Sequence, residues 1–164
     1  MDTESDSAVE VSRSVSVPLP QAQAFELFTT QMTEFWPKEH SISEAELAEV
    51  VIEPRRDGRW FERGVDGSEC EWGRVAVWEP PRKVVLLWQI GADWHFDPEF
   101  ETEVEVTFSA EGPDSCRLDL RHCNLQRYGD STEQMRAIFD DPAGWTGTLG
   151  GFAVQAGVQA AAGD

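Results

Sequence analysis

Two stretches in the middle of the chain alternate between apolar and charged residues, and this alternation constrains the fold more than any other feature. Residues 101–108 carry Thr, Val, Val and Phe at even positions and Glu, Glu, Glu and Thr at odd positions. Residues 116–122 carry Cys, Leu, Leu and His at even positions, with Arg, Asp and Arg between them. Because successive side chains of a strand point to opposite faces, the pattern predicts an antiparallel sheet that is covered on one face only.

The outward-facing charges of these two stretches are of complementary type. If the two strands pair, the glutamate row of the first faces the arginines of the second. Each such cross-strand pair contributes roughly 0.2–1 kcal/mol. We therefore expect these charges to help set the register of the sheet more than to stabilise it.

The flanking segments indicate further strands and two short helices. Residues 9–17 alternate valine with polar residues, which is typical of a strand with one solvent-facing side. Between Leu19 and Pro37 the apolar residues follow a broken helical spacing, which indicates two short helices. From about residue 48 to residue 124, strand-like runs alternate with turn sequences, among them Asp57-Gly58 and Asp66-Gly67.

The C-terminal segment supplies the helix that must cover the apolar face. Residues 131–134, Ser-Thr-Glu-Gln, form a capping-box pattern for a short helix, and Asp141-Pro142 supplies an N-cap and a first-turn proline for a longer one. The longer helix carries one apolar stripe: Trp145, Leu149, Phe152 and Ala156. The sequence therefore predicts an α+β fold of the helix-grip type, in which a curved antiparallel sheet of six or seven strands wraps around a long C-terminal α-helix, with two short helices after the first strand.

The same helix contains four glycines: Gly147, Gly150, Gly151 and Gly157. Each glycine inside a helix costs about 1 kcal/mol relative to alanine. Such a helix gains either from close packing on its neighbour or from open room beside it, and the sequence leaves both readings open.

The charge balance limits the classes of partner. The chain has 31 acidic and 13 basic residues, for a formal net charge of −18 at pH 7. Such a surface repels nucleic-acid phosphates and anionic lipid headgroups, because attraction to both comes from lysine and arginine. We therefore expect no nucleic-acid and no membrane partner, and the need for solubility is enough to explain the acidity.

The N-terminus and the cysteines indicate location and domain limits. Residues 1–8 are acidic and polar, with no basic region or apolar core of a signal peptide, so we expect a disordered lead followed by one domain over residues 9–160. No window approaches the roughly 18 apolar residues of a membrane span. Cys70, Cys116 and Cys123 are odd in number, which without an export signal favours a reducing cytoplasm.

Several motifs resemble those of a known superfamily. Phe-Trp-Pro at 35–37 resembles the aromatic pair that ends its second short helix, and Asp-Gly-Arg-Trp at 57–60 resembles its Gly-Gly-Arg-aromatic turn, with one glycine only. Residues 73–81 and 84–88 resemble its Gly-x-Val…Glu-Pro-Pro…Trp stretch, and Gly-Trp at 144–145 resembles the start of its last helix. Together they resemble SRPBCC domains (START/Bet v type), in the branch related to activators of heat-shock-protein-90 ATPase.

The resemblance extends over residues 9–157 and implies the helix-grip fold. It implies function less directly, because the superfamily holds ligand carriers, polyketide cyclases, self-sacrificing toxin-resistance proteins and a co-chaperone domain. The chaperone activators join this domain to an N-terminal one that has no counterpart in the sequence. We therefore expect a ligand-binding role before a co-chaperone role.

Residues of inward parity predict a cavity between the sheet and the last helix. A mostly apolar cleft with few polar groups is the usual form of a small-molecule site, and tryptophan suits an aromatic ligand because it offers a flat surface and one N–H donor. The alternative is a solid core in which these side chains fill one another's space. The predicted cavity residues are Trp60, Leu86, Trp88, Val104, Val106, Phe108, Leu118, Leu120, His122, Trp145 and Phe152.

Two polar features are candidates for chemistry. The inward parity of His122 allows it to orient a ligand carbonyl or act as a general base, whereas the simpler reading is a histidine hydrogen-bonded near a strand end. Residues 93–99, Asp-Trp-His-Phe-Asp-Pro-Glu, form an acidic, aromatic loop. This loop is a candidate cavity mouth and source of a catalytic carboxylate, or else a solvated connection.

Metal, cofactor and thiol chemistry are not expected. His122 and Cys123 are adjacent on a strand and point to opposite faces, so they cannot share a metal. Cys116 and Cys123 also lie on opposite faces and are too far apart to bridge. Nucleophile elbows, zinc-protease helices, phosphate loops and dinucleotide fingerprints are missing from the sequence.

Three functions remain as hypotheses. The first is a binding module, rather than an enzyme, for a small hydrophobic molecule of aromatic, polyketide-like or lipid-like character. The second is a cyclase or hydrolase that uses His122 with a carboxylate from residues 93–99. The third is a stress-response interaction domain whose acidic surface contacts a protein partner or a second copy of the chain.

Overall fold

The computed structural model describes residues 9–37 and 40–162, and its strands form one antiparallel sheet. The strands are β1 Val11–Val17, β2 Leu47–Ile52, β3 Arg59–Gly64, β4 Glu69–Glu79, β5 Lys83–Trp88, β6 Thr102–Gly112 and β7 Ser115–Cys123. Their order across the sheet is β1-β7-β6-β5-β4-β3-β2. The strands from β2 to β7 therefore follow one another as neighbours, and β1 forms the far edge beside β7.

Three α-helices pack with this sheet. They are α1 Gln21–Thr30, α2 Thr132–Asp140 and α3 Gly147–Ala162. Short 3₁₀ turns follow α1 at Met32–Glu34 and precede α2 at Leu125–Ser131, and a bend at Pro142–Thr146 leads into α3. The two short helices expected after the first strand are thus one helix of ten residues and one 3₁₀ turn.

The predicted alternation is confirmed in β6 and β7. Val104 and Val106 are fully buried, and Val106 lies opposite Leu120 in the paired strand. Glu105 lies opposite Arg121 on the other face, where a guanidinium nitrogen is 3.4 Å from a carboxylate oxygen. The sheet is therefore covered on one face, as the period of two indicated.

The apolar stripe of α3 faces the sheet, as predicted: Trp145, Leu149, Phe152 and Ala156 are all buried. Asp141 caps the bend before α3, because its side chain accepts a hydrogen bond of 2.9 Å from the Ala143 N–H. These contacts confirm the helix-grip fold, a curved sheet around a long C-terminal helix.

The expected capping box at Ser131 is corrected by the structure. Ser131 precedes α2 but its side chain makes no capping hydrogen bond. The preceding 3₁₀ turn supplies the acceptors instead, since the Thr132 N–H bonds the carbonyl of Gly129 and the Thr132 hydroxyl bonds the same oxygen at 2.7 Å. A helix that continues from a turn has fewer unsatisfied N–H groups at its start.

The limits of the predicted domain stay predictions. The acidic lead expected at residues 1–8 lies outside the described residues. Within the part of the chain that the structure describes, none of the helices combines the length and the apolar character needed to cross a bilayer.

Candidate functional site

A cavity of about 590 Å³ lies where the end of β5, helix α2 and the bend before α3 meet. This volume is within the range of small-molecule sites, roughly 300–1,000 Å³. Five of the seven tryptophans of the chain contribute to its wall: Trp36, Trp72, Trp88, Trp94 and Trp145. The wall is therefore built mainly of indole rings.

The remaining wall is mostly aliphatic, with a few polar groups. The apolar contributors include Ile42, Ile90 and Phe139, together with Ile138 at the exposed edge. The polar contributors are His40, Ser41, Asp141 and Thr148. The lining thus combines a large apolar surface with few groups that could orient a ligand.

The tryptophans pack against one another and not only against the cavity. The Trp36 ring lies 4.9 Å from Trp72 and 5.9 Å from Trp145, the second pair at 78° between ring planes. Trp60 lies behind them, with its ring 5.4 Å from Trp72 and 5.7 Å from Trp88. Edge-to-face aromatic pairs of this kind contribute about 0.5–1.5 kcal/mol each, so the wall is a mutually supported aromatic cluster.

Three of the indole N–H groups are held by protein acceptors. Trp36 donates to the His40 carbonyl at 3.1 Å, and Trp72 donates to the Glu62 carboxylate at 2.9 Å. Trp145 donates to Nδ1 of His122 at 3.2 Å. These bonds fix the orientation of the rings and use up their donors.

Glu62 on β3 organises one side of the wall. Its carboxylate is fully buried and accepts hydrogen bonds from the Ser41 hydroxyl, the Ile42 N–H at 2.8 Å and the Trp72 indole. A buried carboxylate requires such donors, because transfer of a charge from water is otherwise very costly. Glu62 is not among the residues predicted from the sequence for this site, although it shares the inward parity of Trp60 on the same strand.

His122 lies behind the wall and joins two of its tryptophans. Because Nδ1 accepts from Trp145, the ring proton belongs on Nε2, which donates to the Thr102 hydroxyl at 2.7 Å. The Thr102 hydroxyl in turn donates to the Trp88 carbonyl at 3.4 Å. The result is a chain of three hydrogen bonds that leaves neither ring nitrogen free.

The electrostatics of His122 agree with this geometry. Burial lowers the pKa of His122 from 6.5 to about 3, because a charged imidazolium would lose its hydration. A general base needs a free lone pair within reach of its substrate, and the Nδ1 lone pair of His122 already accepts from Trp145. The arrangement gives His122 the role of positioning Trp145.

The predicted cavity residues divide into two groups. Trp88 and Trp145 line the cavity. The others are at most 1% exposed, lie in the core and do not line it: Trp60, Leu86, Val104, Val106, Phe108, Leu118, Leu120, His122 and Phe152. Parity indicates which face a side chain occupies but not whether a neighbour fills the space in front of it, so ligand contact by this second group stays a prediction.

The loop expected at the cavity mouth contributes a ring but no carboxylate to the wall. Trp94 lines the cavity with 37% of its surface exposed, in a backbone conformation with φ of 63° that is unusual for a bulky residue. Asp93 accepts from the His95 N–H at 3.1 Å, and Asp97 accepts from the Glu99 N–H at 2.9 Å. The loop carboxylates therefore stabilise the loop itself.

Two buried indole N–H groups of the described residues have no hydrogen-bond partner, those of Trp60 and Trp88. The nearby Tyr128 hydroxyl donates to the Ile90 carbonyl at 2.8 Å. Burial raises the pKa of Tyr128, so its hydroxyl keeps its proton. Trp88 thus carries an unused donor in the wall.

Known proteins resemble this chain in fold and, for two of them, in sequence. An anthrahydroquino-γ-pyrone synthase, Txn09, is 33% identical, with 90% of this chain and 97% of that chain covered and a TM-score of 0.64. The self-sacrificing resistance protein CalC from Micromonospora echinospora is 26% identical, with 92% and 95% covered and a TM-score of 0.69. No curated protein matches the chain.

A third structure shares the fold alone. It is the protein NE0264 from Nitrosomonas europaea, 9% identical, with 96% of this chain and 99% of that chain covered and a TM-score of 0.64. The sequence pattern of one family, described as Activator of Hsp90 ATPase homolog 1-like protein, matches residues 18–154. Since that match spans most of the helix-grip domain, the chain belongs to the activator of Hsp90 ATPase homolog 1-like family of SRPBCC proteins.

Proposed function

We propose that the chain binds a planar, aromatic, polyketide-like small molecule in the tryptophan-lined cavity. The observation that carries the proposal is the wall itself, five indole rings around about 590 Å³. Stacked or edge-on contact with each ring contributes about 0.5–1.5 kcal/mol beyond the burial of apolar surface. A flat, fused-ring molecule makes more such contacts than a flexible chain of equal size.

The fixed orientation of the rings also favours a rigid ligand. Trp36, Trp72 and Trp145 are each held by a hydrogen bond from the indole N–H to the protein. A preorganised wall loses little conformational entropy when a ligand enters. We therefore expect affinity to depend on the planarity of the ligand more than on its hydrogen-bonding groups.

The relatives support the same class of ligand. Txn09 is named as an anthrahydroquino-γ-pyrone synthase, and CalC as a self-sacrificing resistance protein. Both are similar to this chain over nine-tenths of its length or more. A fused aromatic polyketide is the ligand class that agrees with the first name and with the composition of the wall.

Fluorescence titration with a neutral tricyclic probe, 9-anthracenemethanol, tests the proposal. We expect saturable quenching of tryptophan emission, and an affinity loss of about fivefold in Trp94→Ala, which removes a ring at the cavity edge. Trp78→Ala is the matched control, because Trp78 is half-buried and packs against Phe25 away from the cavity. Absence of quenching by planar aromatic probes, or equal effects of the two substitutions, contradicts the proposal.

An enzyme that acts on such a ligand is the second candidate. The observation in its favour is that Txn09, 33% identical over most of both chains, is named as a synthase. The groups in the wall that can exchange a proton are His40 and Asp141, whereas His122 is held by Trp145 and Thr102. Cyclisation of a linear polyketone analogue, lost in His40→Gln or Asp141→Asn while probe binding persists, would support it, and no product with the unaltered protein would end it.

A further inference from the structure

The cavity wall contains no lysine or arginine among the residues that the structure describes. The ionisable groups that the described residues contribute to the wall are the Asp141 carboxylate and the His40 imidazole. Residues 84–116, which contribute Trp88 and Trp94, hold neither lysine nor arginine in their sequence. Lysine and arginine are therefore absent from the stretch that supplies two of the five wall tryptophans, in a chain with a net charge of −18.

The basic side chains of α2 and β1, one arginine on each, are paired with carboxylates. Arg136 lies 3.9 Å from Glu133 and 4.0 Å from Asp140. Arg13 forms an ion pair with the same Asp140 and donates to the Thr146 hydroxyl at 2.8 Å. Neither arginine lines the cavity.

The hydrogen-bond donors of the wall are also largely used. The Ser41 hydroxyl donates to Glu62, and the Thr148 hydroxyl donates to the Gly144 carbonyl at 3.3 Å. Three of the five indole N–H groups are bonded to the protein as well, which leaves those of Trp88 and Trp94 without an acceptor among the described residues. An anionic ligand would lose its hydration here and find few donors to replace it, which is costly.

The bend before α3 does not provide an anion site either. A helix N-terminus ordinarily attracts negative charge through its free N–H groups. Here the Ala143 N–H donates to the Asp141 side chain at 2.9 Å, and the Gly144 N–H donates to the Asp141 carbonyl at 2.7 Å. Asp141 both occupies these donors and adds a negative charge at the cavity.

A cation meets the opposite conditions in the same space. Indole rings attract ammonium groups through their negative faces, an interaction that strengthens when water is excluded, and Asp141 supplies a carboxylate. We infer that the ligand is a planar aromatic molecule that carries a protonated amine, held between the Asp141 carboxylate and the indole rings of the wall. This inference rests on the proposed function and adds the charge of the ligand to it.

Three probes of nearly equal shape test the inference. They are 9-(aminomethyl)anthracene, which is a cation at neutral pH, the neutral 9-anthracenemethanol, and the anion 9-anthracenecarboxylate. Titration in about 0.5 M NaCl screens the general attraction of the acidic surface for cations. Differences in affinity among the three probes then arise from contacts in the cavity. We expect the amine to bind about tenfold more tightly than the alcohol and the carboxylate to bind most weakly.

A pair of charge-removing variants locates the effect. Asp141→Asn removes the charge but keeps a good N-cap, so we expect an unchanged melting temperature and a loss of most of the preference for the amine over the alcohol. Asp130→Asn makes the same change in net charge at an exposed position that does not line the cavity. This control should keep the full preference for the amine.

The outcomes separate the inference from the proposed function. If the alcohol and the carboxylate bind as well as the amine, the cavity binds aromatic molecules and the inferred charge is wrong. If Asp130→Asn weakens amine binding as much as Asp141→Asn, the preference arises from the surface field and the inference fails. If none of the three probes binds, the proposed function fails first.

Discussion

The imidazole of His122 shows how a buried polar residue can serve an apolar cavity. Its two nitrogens connect the Trp145 indole to the Thr102 hydroxyl, which reaches the Trp88 carbonyl. Trp145 and Trp88, at the two ends of this series of hydrogen bonds, both line the cavity. A single side chain therefore fixes one wall residue and ties its position to the strand that carries another.

Replacement of His122 by alanine should mainly destabilise the fold. The substitution leaves the Trp145 N–H without an acceptor, removes the N–H that donates to the Thr102 hydroxyl and opens a void, for an expected loss of about 2–4 kcal/mol in the free energy of unfolding. Urea unfolding measures this loss, with His95→Ala as a control because the His95 side chain is 81% exposed. A stable His122→Ala protein that has lost only a catalytic activity would instead restore the general-base hypothesis.

The same residue should make stability depend on pH. The folded-state pKa of His122, about 3, lies below the ordinary value of 6.5, so the unfolded chain takes up the proton first as the pH falls. The contribution of His122 to the free energy of unfolding is therefore complete above about pH 6.5. It decreases by about 1.4 kcal/mol per pH unit from there towards pH 3.

Comparison with His122→Gln isolates this effect from the many carboxylates of the chain. We expect the unaltered protein to lose more unfolding free energy than His122→Gln between pH 7.5 and pH 5.0. The stability advantage of the unaltered protein should therefore be smaller at pH 5.0. A difference that stays constant over this range would mean that His122 is not buried as a neutral ring.

At the scale of single residues, the sequence predicted where a side chain points but not its partners. The inward parity of His122 is correct, whereas its partners Thr102 and Trp145 are 20 and 23 residues away along the chain. Glu62 has the parity of a buried residue, but a lone glutamate next to Arg63 looks like a solvated one. Only the fold shows that Ser41, Ile42 and Trp72 converge on it.

At the scale of elements, the glycines of α3 differ in what surrounds them. A Cβ added at Gly151 would lie 2.8 Å from the carbonyl oxygen of Phe35, whereas one added at Gly150 would meet no atom within 4 Å. The first glycine therefore allows α3 to approach the segment after α1 closely. The second has no packing role and carries only the low helix propensity of glycine.

These two positions give a matched pair of substitutions in one helix. Gly150→Ala should stabilise the protein by about 1 kcal/mol through helix propensity, and Gly151→Ala should destabilise it by about 1–3 kcal/mol through steric overlap with Phe35. Thermal unfolding of both variants checks the signs. Stabilisation by Gly151→Ala would show that α3 does not approach Phe35 closely.

The elements were the most predictable level of this structure. Alternation over β6 and β7 and the stripe on α3 are both periodic, and periodicity records which side of an element is buried. Most of the cavity wall lies outside these periodic segments, at residues 40–42, the end of β5, the end of α2 and the bend from Asp141 onward. These segments have no period, and their convergence depends on how the sheet curves, so the alternation of residues alone does not locate the cavity.

At the scale of the whole molecule, the net charge of −18 acts on stability. Like charges distributed over one small domain repel one another and favour the expanded, unfolded state. Surface ion pairs such as Arg127–Glu103, 3.0 Å apart, offset little of this repulsion because exposed pairs contribute about 0–1 kcal/mol each.

Added salt should therefore stabilise the protein. Raising NaCl from about 10 mM to 0.5 M shortens the Debye length from roughly 30 Å to a few ångströms, which weakens the repulsion among 31 acidic side chains more than it weakens the attraction of 13 basic ones. We expect the melting temperature to rise by roughly 2–6 °C, and KCl to act as NaCl does because screening depends on ionic strength. A fall in the melting temperature would mean that the ion pairs of the surface outweigh the repulsion.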